Sequence, residues 1–252
     1  MKKVIKENWV FLLIVLAGGL IGGYFIGLYS YDTLSADMLQ ELNKQNVTKG
    51  LLALSSMMQY GILFGVVLAI FGIILSKKVN LWKKYTYNKK AILLTIIITI
   101  IGALILFPGN KLIFGSLNTW VAEQYTISPT ITKIIGGLFA GGIIEEVMMR
   151  LFMMSLLVFI IKKIFYKKEK NIPVKVYVIA NIISALLFAL GHLPSTSIMT
   201  TLTPVLIVRS FLFNGGLGLS FGYLYRKYGI GYAMIAHGFV HLIADLLMLI
   251  FI

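Results

Sequence analysis

The sequence contains no cysteine among its 252 residues. It therefore forms no disulfide and offers no thiolate for catalysis or metal binding. Charged residues are also scarce, at 13% of the chain with Asp and Glu together only 9, whereas 59% of the residues are hydrophobic. A soluble domain needs more polar side chains than this to cover its surface. These deficits predict an integral membrane protein.

Apolar stretches recur along the chain, each near the ~20 residues that cross a bilayer. They predict an all-α fold, a polytopic bundle of about seven transmembrane helices. The spans are 9–29, 51–76, 91–107, 131–161, 172–192, 204–225 and 230–252. The first is too long for a signal peptide core and lacks a small-residue cleavage pattern, so we expect it to be retained.

The net charge of +14 comes mainly from short runs of Lys and Arg between these spans, not from one basic face. This distribution argues against a nucleic-acid partner. The runs fall at every second connection, so the positive-inside rule predicts a cytoplasmic N-terminus and an external C-terminus. The runs lie within 2–6, 77–90, 162–175 and 226–227. An odd number of spans agrees with that orientation.

The connections on the other side are longer. Segments 30–50 and 108–130 contain aromatic residues and could be lids over a site, but plain external loops are the favoured interpretation. Small residues four apart predict close helix contacts. These pairs are Gly19 with Gly23, Gly137 with Gly141, and Gly218 with Gly222.

A few ionisable residues fall within the apolar spans, where a charge costs from about 2.5 to more than 10 kcal/mol unless it is partnered. They are Glu145, Glu146, Arg150, His192, Arg209, His237, His241 and Asp245. Arg209 lies near a span end and is expected to reach the lipid headgroups. Glu146 and Arg150 share a helical face and can form an ion pair. Glu145 faces elsewhere, so its partner must come from another helix.

The histidines are candidates for that partner. His237, His241 and Asp245 recur every fourth residue and line one face of the last span. At 1.5 Å per residue from the nearest basic end, Glu145 and His192 lie at a depth of about 26 Å and His241 at about 21 Å. A carboxylate and imidazoles at one depth could activate water, bind a metal ion or stabilise an oxyanion.

Three motifs in this region resemble those of the CPBP family, the CAAX-processing and bacteriocin-processing intramembrane proteases, also called Abi. They are Glu145-Glu146-x-x-x-Arg150, Phe188-x-x-x-His192, and His237 in the last span. The resemblance covers about residues 131–245. It implies a catalytic core at 131–252, packed with the N-terminal spans and loops of 1–130 as one membrane domain.

The resemblance also implies roles for these residues. Glu145 would be the base that activates water, with His192 holding that water and His237 steadying the oxyanion or a metal. A divalent metal, zinc if any, would be held by Glu145, His192 and His237. The sequence departs from the family where His241 stands in place of the usual Asn. Glu146 and Arg150 complete the expected catalytic set.

Other functions compete with this one. Gly218-Leu-Ser220-Phe-Gly222 fits the Gly-x-Ser-x-Gly motif of serine hydrolases, but that motif needs a strand-turn-helix context. His-Glu-x-x-His, which a zinc protease of another type would need, is absent. A non-catalytic peptide-binding or bacteriocin-immunity protein, or a proton-coupled transporter, would also place ionisable groups in the membrane.

We expect an intramembrane endopeptidase of the bacterial cytoplasmic membrane, in contact with the lipid bilayer. Its substrate would be a membrane-associated peptide, such as a pheromone or bacteriocin precursor, or the tail of a lipidated protein. The sequence leaves the oligomeric state open.

Overall fold

The computed structural model describes residues 1–252 and is built of helices without a strand. The predicted all-α bundle is confirmed. In chain order the helices are α1 (Lys2–Asp32, interrupted at Asn8), α2 (Ala36–Lys44), α3 (Lys49–Lys78), α4 (Lys89–Leu117), α5 (Thr119–Gln124), α6 (131–165), α7 (Val174–Met199), α8 (Pro204–Tyr228) and α9 (Ile230–Phe251).

Six helices are long and apolar enough to cross a membrane, namely α1, α3, α4, α7, α8 and α9. Helix α6 coincides with the remaining predicted span and is continuous from residue 131 to 165. It differs from the others because Glu145, Glu146 and Arg150 interrupt its apolar stretch. The chain is therefore a multi-pass membrane protein, and the seventh crossing stays a prediction.

Several helices begin at a residue whose side chain accepts a hydrogen bond from a backbone N–H group of the first turn. Such a cap satisfies one of the donors that a helix N-terminus leaves free. The capping residues of α3, α4, α6 and α8 are Thr48, Asn88, Thr130 and Thr203. The polar residues between apolar stretches thus define where these membrane helices start.

Basic segments far apart in sequence meet at one end of the bundle, here called the lysine-rich end. Lys77 forms an ion pair with Glu7 at 2.8 Å, and the Lys83 amino group donates to the carbonyl of Arg226 at 2.9 Å. At the opposite end, Lys49 pairs with Asp32 at 2.6 Å. The charge segregation seen in the sequence is therefore a property of the folded bundle.

Helices α6 and α9 cross at two glycines. A Cβ atom added to Gly142 would lie 2.6 Å from the Cα of Gly238, which leaves no room for any side chain. Helices α1 and α3 are equally close, since a Cβ on Gly19 would lie 2.6 Å from the Tyr60 carbonyl oxygen. These crossings bring the polar face of α9 against α6.

Replacing Gly142 with Ala is expected to destabilise the protein by about 1–3 kcal/mol, because the new methyl group would force the α6 and α9 backbones apart. Thermal unfolding in detergent should show a lower midpoint. Gly216 is the matched control, since a Cβ there meets nothing within 4 Å. Gly216→Ala should be neutral or slightly stabilising. Equal stability of the two variants would contradict the close crossing.

Candidate active site

Helix α6 places two adjacent carboxylates in different surroundings. Its centre winds as a π-helix over Gly137–Glu145 and again over Val147–Met154, a geometry frequent at functional sites. The Glu145 side chain is 27% exposed, whereas that of Glu146 is 0% exposed. Only Glu145 can therefore reach a water molecule or a substrate.

Glu146 is held by two partners. Its Oε2 lies 3.4 Å from Arg150 Nε, so the ion pair predicted from their spacing is present. Its Oε1 accepts a hydrogen bond from His237 Nδ1 at 2.9 Å. Arg150 in turn donates from Nη2 to the Gly218 carbonyl at 3.2 Å. Glu146 therefore orients the His237 ring and neutralises a buried guanidinium.

Two aromatic rings enclose this buried charge pair. The Arg150 guanidinium carbon lies 4.8 Å from the Phe188 ring centre and 5.8 Å from that of Phe221. Phe221 also stacks on His237, with ring centres 4.5 Å apart. Arg150 Nε and Nη1 have no hydrogen-bond partner, so these cation–π contacts partly replace the missing bonds. This role of Phe221 was not predicted from the sequence, where the only indication was its position beside Gly222.

His192 lies at the turn within α7. Its Nδ1 is 2.8 Å from the Phe188 carbonyl, which fixes the proton on Nδ1 and leaves the Nε2 lone pair free. That Nε2 is 4.0 Å from Glu145 Oε1, too far for a direct hydrogen bond. Two acceptors of one water molecule are about 4.4 Å apart when both bonds have ordinary length. One water can therefore donate to both groups.

His237 and His241 complete the group. Their Nε2 atoms are 3.2 Å apart, so the two rings share one proton in a hydrogen bond. His237 Nε2 is also 3.7 Å from Glu145 Oε2. The His241 ring fits against glycine, since a Cβ on Gly141 would lie 3.1 Å from its Nε2. The Gly137 and Gly141 pair, predicted to pack against a helix, thus makes room for an imidazole.

The other ionisable residues of the spans lie outside this centre. Asp245 forms an ion pair with Lys133 at 2.9 Å, near the end of the bundle opposite the lysine-rich end. Arg209 donates from Nε to Asn110 Oδ1 at 2.5 Å. The structure thus gives Arg209 a partner on α4, and its contact with the lipid headgroups stays a prediction. Ser220 is not hydrogen-bonded to any of the three histidines.

The metal set expected from the resemblance was Glu145, His192 and His237. No group of three or more carboxylate and imidazole side chains in the structure has a geometry that could hold a metal ion. The metal ligands implied by the resemblance, Glu145, His192 and His237, stay a prediction.

A large apolar groove of about 680 Å³ lies near the lysine-rich end. Its lining includes Trp9, Trp82, Ile143 and Gly238. Neither Glu145, Glu146 nor any of the three histidines lines it. The groove is therefore separate from the chemical centre, although Ile143 and Gly238 are close in sequence to Glu145 and His237.

Residues 127–243 match a family model described as type II CAAX prenyl endopeptidase Rce1-like. The matched range contains both carboxylates, Arg150 and all three histidines. No curated protein and no solved structure matches the chain significantly. The motifs and this match agree: over residues 127–243, the chain is similar to CAAX-type intramembrane endopeptidases.

Proposed function

We propose that the protein hydrolyses a peptide bond within the membrane, with Glu145 as the general base. The observation that supports this most directly is the 4.0 Å separation of Glu145 Oε1 and His192 Nε2, which suits one shared water. The substrate is a membrane-associated peptide, such as a pheromone or bacteriocin precursor, or a lipid-anchored tail. We place the enzyme in the bacterial cytoplasmic membrane.

The reaction needs three functions from these side chains. Glu145 takes a proton from the water as the water oxygen attacks the scissile carbonyl carbon. The single Nε2–H that His237 and His241 share donates a hydrogen bond to the oxyanion that forms. Glu145 then passes its proton to the leaving nitrogen, and the bond to that nitrogen breaks. The products are a carboxylic acid and an amine, and transfer of the acid's proton to the amine gives a carboxylate and an ammonium group.

Glu146 and Arg150 act through His237 and not directly on the reacting atoms. Glu146 accepts a hydrogen bond from His237 Nδ1. It therefore holds a proton on that nitrogen and directs the other ring nitrogen, Nε2, toward the reacting atoms. Arg150 gives the fully buried Glu146 carboxylate a counter-ion. These two are positioning residues.

Hydrolysis in proteoliposomes tests the proposal. Purified protein would be mixed with N-palmitoylated precursor peptides in water enriched in ¹⁸O, and the products analysed by mass spectrometry. We expect two fragments, with one ¹⁸O in the new carboxylate. Binding of the peptides without any fragment would favour a non-catalytic immunity or binding function.

Changing His241 to Asn separates hydrogen bonding from bulk at this position. Asn can still donate a hydrogen bond and is the residue usual in the family, so we expect cleavage within about tenfold of wild type. His241→Leu removes the donor and should lower kcat by about 10²–10³-fold. The rates would be measured with the same peptides. Equal activity of the Leu and Asn variants would exclude an oxyanion role for His241.

A further inference from the structure

A second cavity, of about 310 Å³, lies at the end of the bundle opposite the lysine-rich end. Both long connections that contain aromatic residues contribute to it. Tyr29 and Thr33 come from the end of α1, and Trp120 and Gln124 come from α5. Both segments therefore contribute residues to one cavity.

The cavity and the chemical centre are connected by the same three helices. Lys133, Met199 and Met248 line the cavity and belong to α6, α7 and α9. At 1.5 Å per residue, Lys133 is about 18 Å along α6 from Glu145, and Met248 is about 16 Å along α9 from His237. Met199 is about 10 Å along α7 from His192 by the same measure.

An extended peptide covers about 3.3 Å per residue, so these distances of about 10–18 Å correspond to about three to five residues. Lys133 also continues the polar face of α6. Its amino group pairs with Asp245, which lies one helical turn beyond His241 on α9. Polar groups thus lead from the cavity toward the catalytic carboxylate, as a peptide backbone in a membrane requires.

The charges that line the cavity already have partners. Lys133 pairs with Asp245 at 2.9 Å, and Asp32 pairs with Lys49 at 2.6 Å. The remaining lining combines aromatic rings, methionines and uncharged hydrogen-bonding groups. Such a surface suits uncharged side chains, apolar or polar, and penalises a charged one that would enter without a counter-ion.

We propose that this cavity is a substrate subsite, which binds an uncharged peptide segment three to five residues from the scissile bond. The inference rests on the proposed peptidase function and adds the side from which the peptide approaches. Trp120, Gln124, Tyr29 and Met248 lie outside the family match at 127–243.

The proposal is tested by placing a large side chain at an exposed position that lines the cavity. Ser128 is exposed and lines the cavity, whereas Thr126 is exposed on the same connection and does not. The probe is an N-palmitoylated peptide library in phosphatidylcholine vesicles, with the central ten positions randomised. Wild type should reject Asp and Lys at one position three to five residues from the cut.

Ser128→Trp should remove that preference and raise KM about tenfold with little change in kcat. Thr126→Trp should behave as wild type. An unchanged preference in Ser128→Trp would overturn the subsite.

A crosslinking experiment separates failure of the subsite from failure of the peptidase function. Ser128→p-benzoylphenylalanine would be combined with Glu145→Gln, and the vesicle-bound library would be irradiated with it. Capture of peptides at position 128 supports the subsite even if the wild type hydrolyses none of them. Hydrolysis by the wild type without capture at position 128 would show that the cavity does not bind substrate.

Discussion

Replacing Glu145 with Gln is expected to abolish peptide cleavage, with a fall in kcat of at least about 10³-fold and little change in peptide binding. The substitution keeps the size of the side chain but removes the proton acceptor, and general-base catalysis typically contributes about 10²–10⁴-fold. Glu145 makes no hydrogen bond that holds the fold and is 27% exposed, so stability should stay near wild type. Product formation by mass spectrometry and thermal unfolding would be measured on the same preparation.

Ser220→Ala is the matched control for this result. Ser220 lies in the same membrane region and carries the competing Gly-x-Ser-x-Gly motif, but no histidine is hydrogen-bonded to it. We expect this variant to cleave at the wild-type rate. If Glu145→Gln cleaved normally and Ser220→Ala did not, a serine mechanism would replace the one proposed here.

Removal of Arg150 should have the largest effect on stability. Arg150→Met leaves the Glu146 carboxylate fully buried without its cation, and breaking a buried pair in this way costs about 3–5 kcal/mol. The lost contacts with Phe188 and Phe221 add to this cost. We expect a strongly lowered unfolding midpoint in detergent and little folded protein in membranes.

The double variant Glu146→Gln with Arg150→Met tests the cause. Because no unpaired charge remains, most of the lost stability should return, whereas activity should stay about 10–100-fold low since His237 lacks its carboxylate. Arg209→Met is the matched control. Its partner Asn110 is neutral, so the loss should be smaller, about 1–3 kcal/mol. A double variant no more stable than Arg150→Met would contradict the charge-pair explanation.

The membrane helices could be predicted from local sequence because hydropathy over ~20 residues largely decides what spans a bilayer. The span predicted at 204–225 is α8, and the span at 230–252 is α9. The ends were less predictable. Helix α4 continues past the predicted limit at 107 to Leu117. In this extension, the side chain of Asn110 points into the bundle and accepts a hydrogen bond from Arg209.

The candidate site could be predicted for a related reason. Ionisable groups are so costly in hydrocarbon that the few present must be partnered or functional. The pairing of Glu146 with Arg150 followed from helical spacing alone, and the structure shows it at 3.4 Å. The partner of Arg209 did not follow, because it lies on another helix.

The sequence alone thus predicted the membrane class, the six spans that the structure contains and the ionisable residues that meet inside the bundle, since these depend on local composition and spacing. Tertiary structure decided which carboxylate is buried and which is open to water. It also decided that Phe221 covers Arg150 and that two distant connections join in one cavity. Those features depend on which helices meet, as α6 and α9 do at Gly142 and Gly238, and local spacing does not specify the partner helix.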